Sequence, residues 1–165
     1  MLNKLRDSIE KIKESNEFID WKKDHNSSYI TSAFLDKEVW SIHYYNSESD
    51  DMTTFRIEND VVTKENEKIF RKEKRKLTEL KIEDIKIEYT NVEKTISNLI
   101  DEKYNGEEST KKIIILQQFD VPTWNITYVT SAMNVLNVKI NAISGEIVEE
   151  KLTADFEEQM EQKSS

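Results

Sequence analysis

The feature that most constrains this chain is a pattern that occurs twice. Residues 29–48, YITSAFLDKEVWSIHYYNSE, align without a gap on residues 113–132, IIILQQFDVPTWNITYVTSA, at an offset of 84. Six of the 20 positions are identical: Ile30/Ile114, Asp36/Asp120, Trp40/Trp124, Ile42/Ile126, Tyr44/Tyr128 and Ser47/Ser131. A Trp-x-Ile-x-Tyr stretch in strict alternation marks a half-buried strand, because side chains two apart share one face of the pleat. The match continues at shifted offsets, with Phe55-Arg56-Ile57 over Val138-Lys139-Ile140 (83) and Val61-Val62 over Ile147-Val148 (86). Such slips are what loops absorb. Self-similarity of this kind predicts two copies of one supersecondary unit.

Each copy reads as a helix followed by three strands. In the second, Thr90 is placed to cap a helix whose Val92, Ile96, Leu99 and Ile100 form an apolar stripe, and Asn105-Gly106 is placed to end it. In the first, Leu5, Ile9 and Ile12 make the stripe, then Phe18, Ile19 and Trp21 follow less regularly. Short links between consecutive strands predict antiparallel meanders, each with its helix over the apolar face. The expected fold class is α+β: two tandem units, each of one helix packed on a three-stranded antiparallel sheet. The first unit is expected at 1–66 and the second at 83–165, the latter ending in a C-terminal tail helix. A basic linker helix is expected between them at 67–82.

Composition narrows the function classes. Leu, Ile, Val and Phe make up 43 of 165 residues, enough to build a core despite 35% charged residues. With only 2 Gly, phosphate-cradling glycine loops are disfavoured. The absence of cysteine removes disulfides, thiol nucleophiles and thiolate metal sites. No run approaches the roughly 18 apolar residues of a membrane span, and MLNKLRDSIEKIKES lacks the apolar centre of a signal peptide. Met1 reads as a natural start, and a cytoplasmic location is the expectation. The net charge of −9 divides into −1 over residues 1–82 and −8 over 83–165. An acidic second half argues against nucleic-acid binding, which depends on neutralising phosphates.

The second copy resembles a PepSY-type domain over about residues 86–151. The helix, its Tyr104-Asn105-Gly106 end, the Trp-x-Ile strand and VKINAISGEIVEEK (138–151) carry the likeness. The last segment resembles that family's strand–turn–strand ending, with Ala142, Gly145, Glu146 and Ile147 matching, Asn141 in place of an acid and Ser144 in place of Thr. Both replacements still bond a turn's backbone. The resemblance implies a non-catalytic module, since relatives serve as metallopeptidase propeptides and stand-alone cell-envelope domains. The first copy has lost the turn, reading Glu58-Asn59-Asp60.

Candidate chemistry is thin. His25 lies in a polar stretch and His43 falls on the strand face opposite Trp40 and Ile42, at a position that the second copy fills with Thr127. The pairs Asp50-Asp51, Glu107-Glu108 and Glu149-Glu150 sit at turns or strand ends. General acid–base work instead needs carboxylates with separated pKa values in a cleft. No catalytic, cofactor-binding or metal-ligating residue is assigned, no cofactor is expected, and the chain reads as a non-enzyme. A candidate partner surface combines His43 and Tyr45 with the basic cluster Arg71, Lys72, Lys74, Arg75 and Lys76. The function expected is a binding or regulatory module acting through protein contacts, by a sheet face or an edge strand. The alternative is a small-molecule carrier with a closed apolar cavity between helix and curved sheet.

Overall fold

The computed structural model describes residues 2–68 and 77–154. It opens with α1 (Leu2–Glu14), which buries Leu2, Leu5, Ile9 and Ile12 along one side. Ser15 then interrupts the helix in an extended conformation. Its hydroxyl donates to the Ile12 carbonyl at 2.6 Å and accepts from the Phe18 N–H at 3.2 Å. That cap starts α2 (Asn16–Lys23), which buries Phe18 and Trp21. The irregular stripe of the first copy is thus two helices joined at a serine.

Four strands follow: β1 (Tyr29–Asp36), β2 (Val39–Asn46), β3 (Asp51–Glu58) and β4 (Val61–Lys68). After residues 77–81 and one 3-10 turn (Ile82–Asp84) comes α3 (Tyr89–Lys103). Four more strands complete the chain: β5 (Ser109–Gln118), β6 (Pro122–Thr130), β7 (Val135–Asn141) and β8 (Ile147–Thr153). All eight lie in one antiparallel sheet, ordered β4-β3-β2-β1-β5-β6-β7-β8. The seam is β1 against β5, where Ser32, Ala33, Phe34 and Leu35 oppose Gln117, Leu116, Ile115 and Ile114.

The expectation of two tandem helix-on-three-strand units is overturned. The architecture is one mostly-β sheet of eight strands, with α1, α2 and α3 covering a single face. The reason lies in β1 and β5, which pair with each other as well as with their own hairpins. Leu116, Ile114, Ala33 and Leu35 therefore belong to one core together with Trp40, Ile42, Phe55, Trp124, Ile126, Leu136 and Val138. The Trp40 and Trp124 rings lie 6.2 Å apart within it.

The ungapped 20-residue match is also corrected at its start. Leu35 opposes Trp40, five residues on, whereas Leu116 opposes Trp124, eight residues on. The β1–β2 and β5–β6 hairpins thus differ by three residues, and Ile30/Ile114 and Asp36/Asp120 are not equivalent places. α3 begins at Tyr89 with Glu88 as its cap residue rather than Thr90. The Glu88 carboxylate accepts from the Leu2 N–H at 3.1 Å, tying α1 to α3. The core of the expected linker helix (69–76) and the tail helix (155–165) lie outside the described residues. The described end of that linker, 77–81, is not helical, and Lys68 belongs to β4.

The turn after β7 holds its shape through side chains. The Asn141 carboxamide accepts from the Ile143 and Ser144 N–H groups at 2.8 and 3.1 Å. Gly145 takes φ +82° there, beside the Ile87 side chain. The Ala142 carbonyl accepts from Lys86 and Ile87 N–H, both at 2.9 Å, so the turn clamps the segment that leads into α3. The Trp124 indole donates to the Ile87 carbonyl at 2.9 Å from the other side.

Two measurements test this architecture. A core shared across the seam predicts that urea unfolding followed by tryptophan fluorescence and by far-UV circular dichroism gives one coincident transition; two separated transitions would mean two independent units. The β1–β2 turn places Lys37 and Glu38 at φ 46° and 70°, a left-handed pair that favours Asn-Gly. Replacing both residues (Lys37→Asn, Glu38→Gly) is expected to raise stability by about 1–2 kcal/mol in the same urea assay.

Candidate functional site: the uncovered face of the sheet

The alternation that buries Trp40, Ile42 and Tyr44 sends Ser41, His43 and Tyr45 to the opposite face. Register extends that face across the sheet. Beside Ser41, His43 and Tyr45 stand Phe34, Ser32 and Tyr29 of β1 and Arg56, Thr54 and Met52 of β3. Across the seam follow Ile115 and Gln117 of β5, Asn125, Thr127 and Val129 of β6, and Asn137 and Lys139 of β7. Among the described residues no helix covers this side.

A polar ladder runs over the second half of the face. The Asn137 amide donates to the Asn125 carboxamide oxygen at 2.8 Å and to the Thr127 hydroxyl at 2.9 Å. The Asn125 amide donates onward to the Gln117 oxygen at 3.2 Å. The seam beside it is apolar, with Phe34 opposite Ile115. On the first half, His43 Nδ1 lies 2.7 Å from the Ser32 hydroxyl. Burial pushes the His43 pKa below the ordinary imidazole value. Tyr45 is buried under Tyr29, with ring centroids 5.8 Å apart, and its hydroxyl donates to Asp50 at 2.6 Å. A dent of about 290 Å³ bordered by Ser41, Thr54, Arg56, Thr63, Lys64 and Glu65 marks the β2–β4 side.

The covered face also has an opening. A groove of about 510 Å³ lies among α1, α2, the start of β1 and residues 79–83. Ile9, Phe18, Ile30, Leu80 and Ile82 line it, with Arg6, Lys13 and Lys22 among its charged neighbours. Burial, then the nearby Lys13 charge, lowers the Lys22 pKa. The Lys22 ammonium donates to the Ser28 carbonyl at 2.9 Å. This groove is open, unlike the closed cavity expected of a carrier.

Of the residues singled out from sequence, His43 and Tyr45 share the uncovered face, while Arg71, Lys72, Lys74, Arg75 and Lys76 lie outside the described residues. His25 is structural: its ring stacks on Trp21 at 4.6 Å and its Nδ1 meets the Trp21 carbonyl at 2.7 Å. Among the described residues no three His, Cys, Asp or Glu gather as metal ligands, and no helix is long and apolar enough to cross a membrane. Sequence reasoning missed the Asn137–Asn125–Gln117 ladder. The alternation of Asn125, Thr127, Asn137 and Lys139 with buried residues was its signal, but cross-strand register was needed to join them.

Comparison with known proteins supports the fold alone. No family model matches the chain, and no curated protein matches it. The chain is similar to the crystal structure of "a putative lipoprotein" from Clostridium difficile 630, with a TM-score of 0.52 and 14% identity. The likeness covers 84% of this chain and 91% of that one. These findings lend no support to the PepSY-type resemblance of residues 86–151. Its segment is half of a continuous eight-stranded sheet, and no family model supports it.

His43 gives a test of the environment of this face. Its pKa is lowered in the folded state, so the unfolded chain takes up a proton first as pH falls through 6.5. The native state then loses stability with acidification below that pH. His43→Gln is expected to flatten the urea-midpoint-against-pH curve between neutral and mildly acid pH, relative to wild type. Parallel curves would show that His43 is solvated.

Proposed function

We propose that this protein is a non-catalytic binding module that acts through protein contacts made by the uncovered face of its sheet. The observation that carries the reading is an eight-stranded sheet whose helices all lie on one side. The other side joins an apolar seam at Phe34 and Ile115 to a polar ladder that is already hydrogen-bonded. A sheet face of this size with apolar and polar groups in fixed register suits a partner of complementary shape.

A second reading rests on the groove between α1, α2 and residues 79–83. Its volume of about 510 Å³ falls in the range of small-ligand sites, and its lining joins apolar side chains to the cations Arg6, Lys13, Lys22 and Lys81 and the carboxylates Glu10, Glu79 and Glu83. In this reading an apolar molecule with a polar end lies between helices and sheet.

One experiment separates the two. The full chain, immobilised, is exposed to extract of its source cells and the captured proteins are quantified by mass spectrometry. Three variants of matched urea midpoint are run beside it: Phe34→Glu and Thr127→Arg on the face, and Lys13→Glu at the groove. The face variants are expected to lower capture of the specific partner about tenfold, as when a central contact is lost, with Lys13→Glu unchanged. Capture that is indifferent to both face variants would overturn the reading. Small molecules released from the captured chain are quantified in parallel, and their loss with Lys13→Glu alone would favour the groove.

A further inference from the structure

The two edges of the sheet are built differently. β4 carries Lys64, Glu65, Glu67 and Lys68 along an exposed strand, the charged edge that resists pairing. β8 instead leaves Ile147, Val148 and Leu152 exposed, at 38%, 59% and 36%, beside Ile143 at 43%. Among the described residues no strand pairs with its outer side. A seven-residue edge with this much apolar surface is a template for another strand.

We propose that the occupant is the same edge of a second copy of this chain, paired antiparallel and centred on Glu150, so that the sheet continues across a twofold axis. Strand geometry and charge single out that register. A twofold axis normal to the sheet sets residues on the same face opposite each other, so the pairing centres on one residue. Centring on Glu149 opposes two copies of Glu149, and centring on Lys151 opposes two copies of Lys151. Both are unfavourable.

Centring on Glu150 pairs Val148–Leu152 of the two copies. Glu149 then faces the partner's Lys151 and Lys151 faces the partner's Glu149, two opposite-charge pairs on the uncovered face. Val148 and Leu152 fall opposite the partner's Leu152 and the partner's Val148, so four exposed apolar side chains leave water. The register makes one like-charge pair, Glu150 against its own copy, on the helix side. There each carboxylate already accepts from its own chain's Lys103 ammonium at 2.7 Å and Tyr104 hydroxyl at 3.2 Å. The β7–β8 bulge leaves Val148 as the extra residue near the start of the strand, so Glu149–Thr153 keep regular alternation.

Sedimentation velocity of the full chain from micromolar to millimolar concentration tests the proposal. A concentration-dependent monomer–dimer equilibrium is expected. Lys151→Glu, which turns both ion pairs into repulsions, is expected to weaken it about tenfold, and adding Glu149→Lys to that variant to restore it. Val148→Lys places a charge on the edge and is expected to abolish the dimer, while Val61→Lys on β4 leaves it unchanged. Far-UV circular dichroism and urea midpoints confirm that each variant is folded. A wild-type chain that stays monomeric throughout the range would overturn the proposal. A dimer lost with Val61→Lys, or one indifferent to both Lys151→Glu and Val148→Lys, would overturn it equally.

Discussion

Four residue pairs decide what kind of molecule this is. Where Ser32–Leu35 of β1 run against Ile114–Gln117 of β5, two meanders that would each end in a raw edge become the centre of one sheet. An unpaired strand edge is a liability in water and a worse one near a core, so the pairing removes two edges at once. It also sets Ala33 against Leu116 and Leu35 against Ile114 on the helix side. Those side chains place the Trp40 and Trp124 hairpins in a common core. At the start of β1 the seam is completed by the chain itself, since the Leu80 N–H donates to the Ile30 carbonyl at 2.7 Å.

Joining the meanders has a consequence for the helices. α1, α2 and α3 must all lie on the side to which Trp40, Ile42, Trp124 and Ile126 point, because that is where the apolar stripes meet. The clamp of Ala142 on Lys86 and Ile87, together with the Leu2–Glu88 bond, ties the entry of α3 to the start of α1. Among the described residues the opposite face is left without a helix and β4 and β8 form the two outer edges. Functional readings of this protein are therefore readings of a sheet surface, with the helix-side groove as the exception.

Much of this was legible in the residues and some of it was not. The Trp-x-Ile-x-Tyr alternation correctly placed β2 and β6 and told which side chains are core, because period-two burial is a local property. The helix stripes were legible for the same reason. Whether two meanders stand apart or merge is decided by the pairing of β1 with β5, some eighty positions apart. Each strand's free edge looks alike in sequence whichever strand occupies it, so the unit count failed there. The ungapped alignment failed at the hairpins, where two turns of different length hide inside a run of matched letters. Ser15 escaped notice because one serine in a charged helix reads as surface until its bonds to Ile12 and Phe18 are seen.

The uncovered face has a property that bears on what could bind it. Several of its amide groups already bond within the sheet: the Asn137 amide donates to the Asn125 oxygen and the Thr127 hydroxyl, and the Asn125 amide donates on to the Gln117 oxygen. Burying an unpaired amide costs on the order of 1–3 kcal/mol, and a docking partner would have to supply a matching group for each one. A ladder bonded in this way lowers that demand, so a partner can gain from the apolar Phe34–Ile115 seam while stranding fewer polar atoms. His43 sits differently, with one ring nitrogen near Ser32 and its charged form disfavoured by burial. A partner that buried it further would disfavour the charged form more. Binding through this face would therefore weaken as the pH fell through the imidazole range, and this links the ladder, the seam and His43 in one surface.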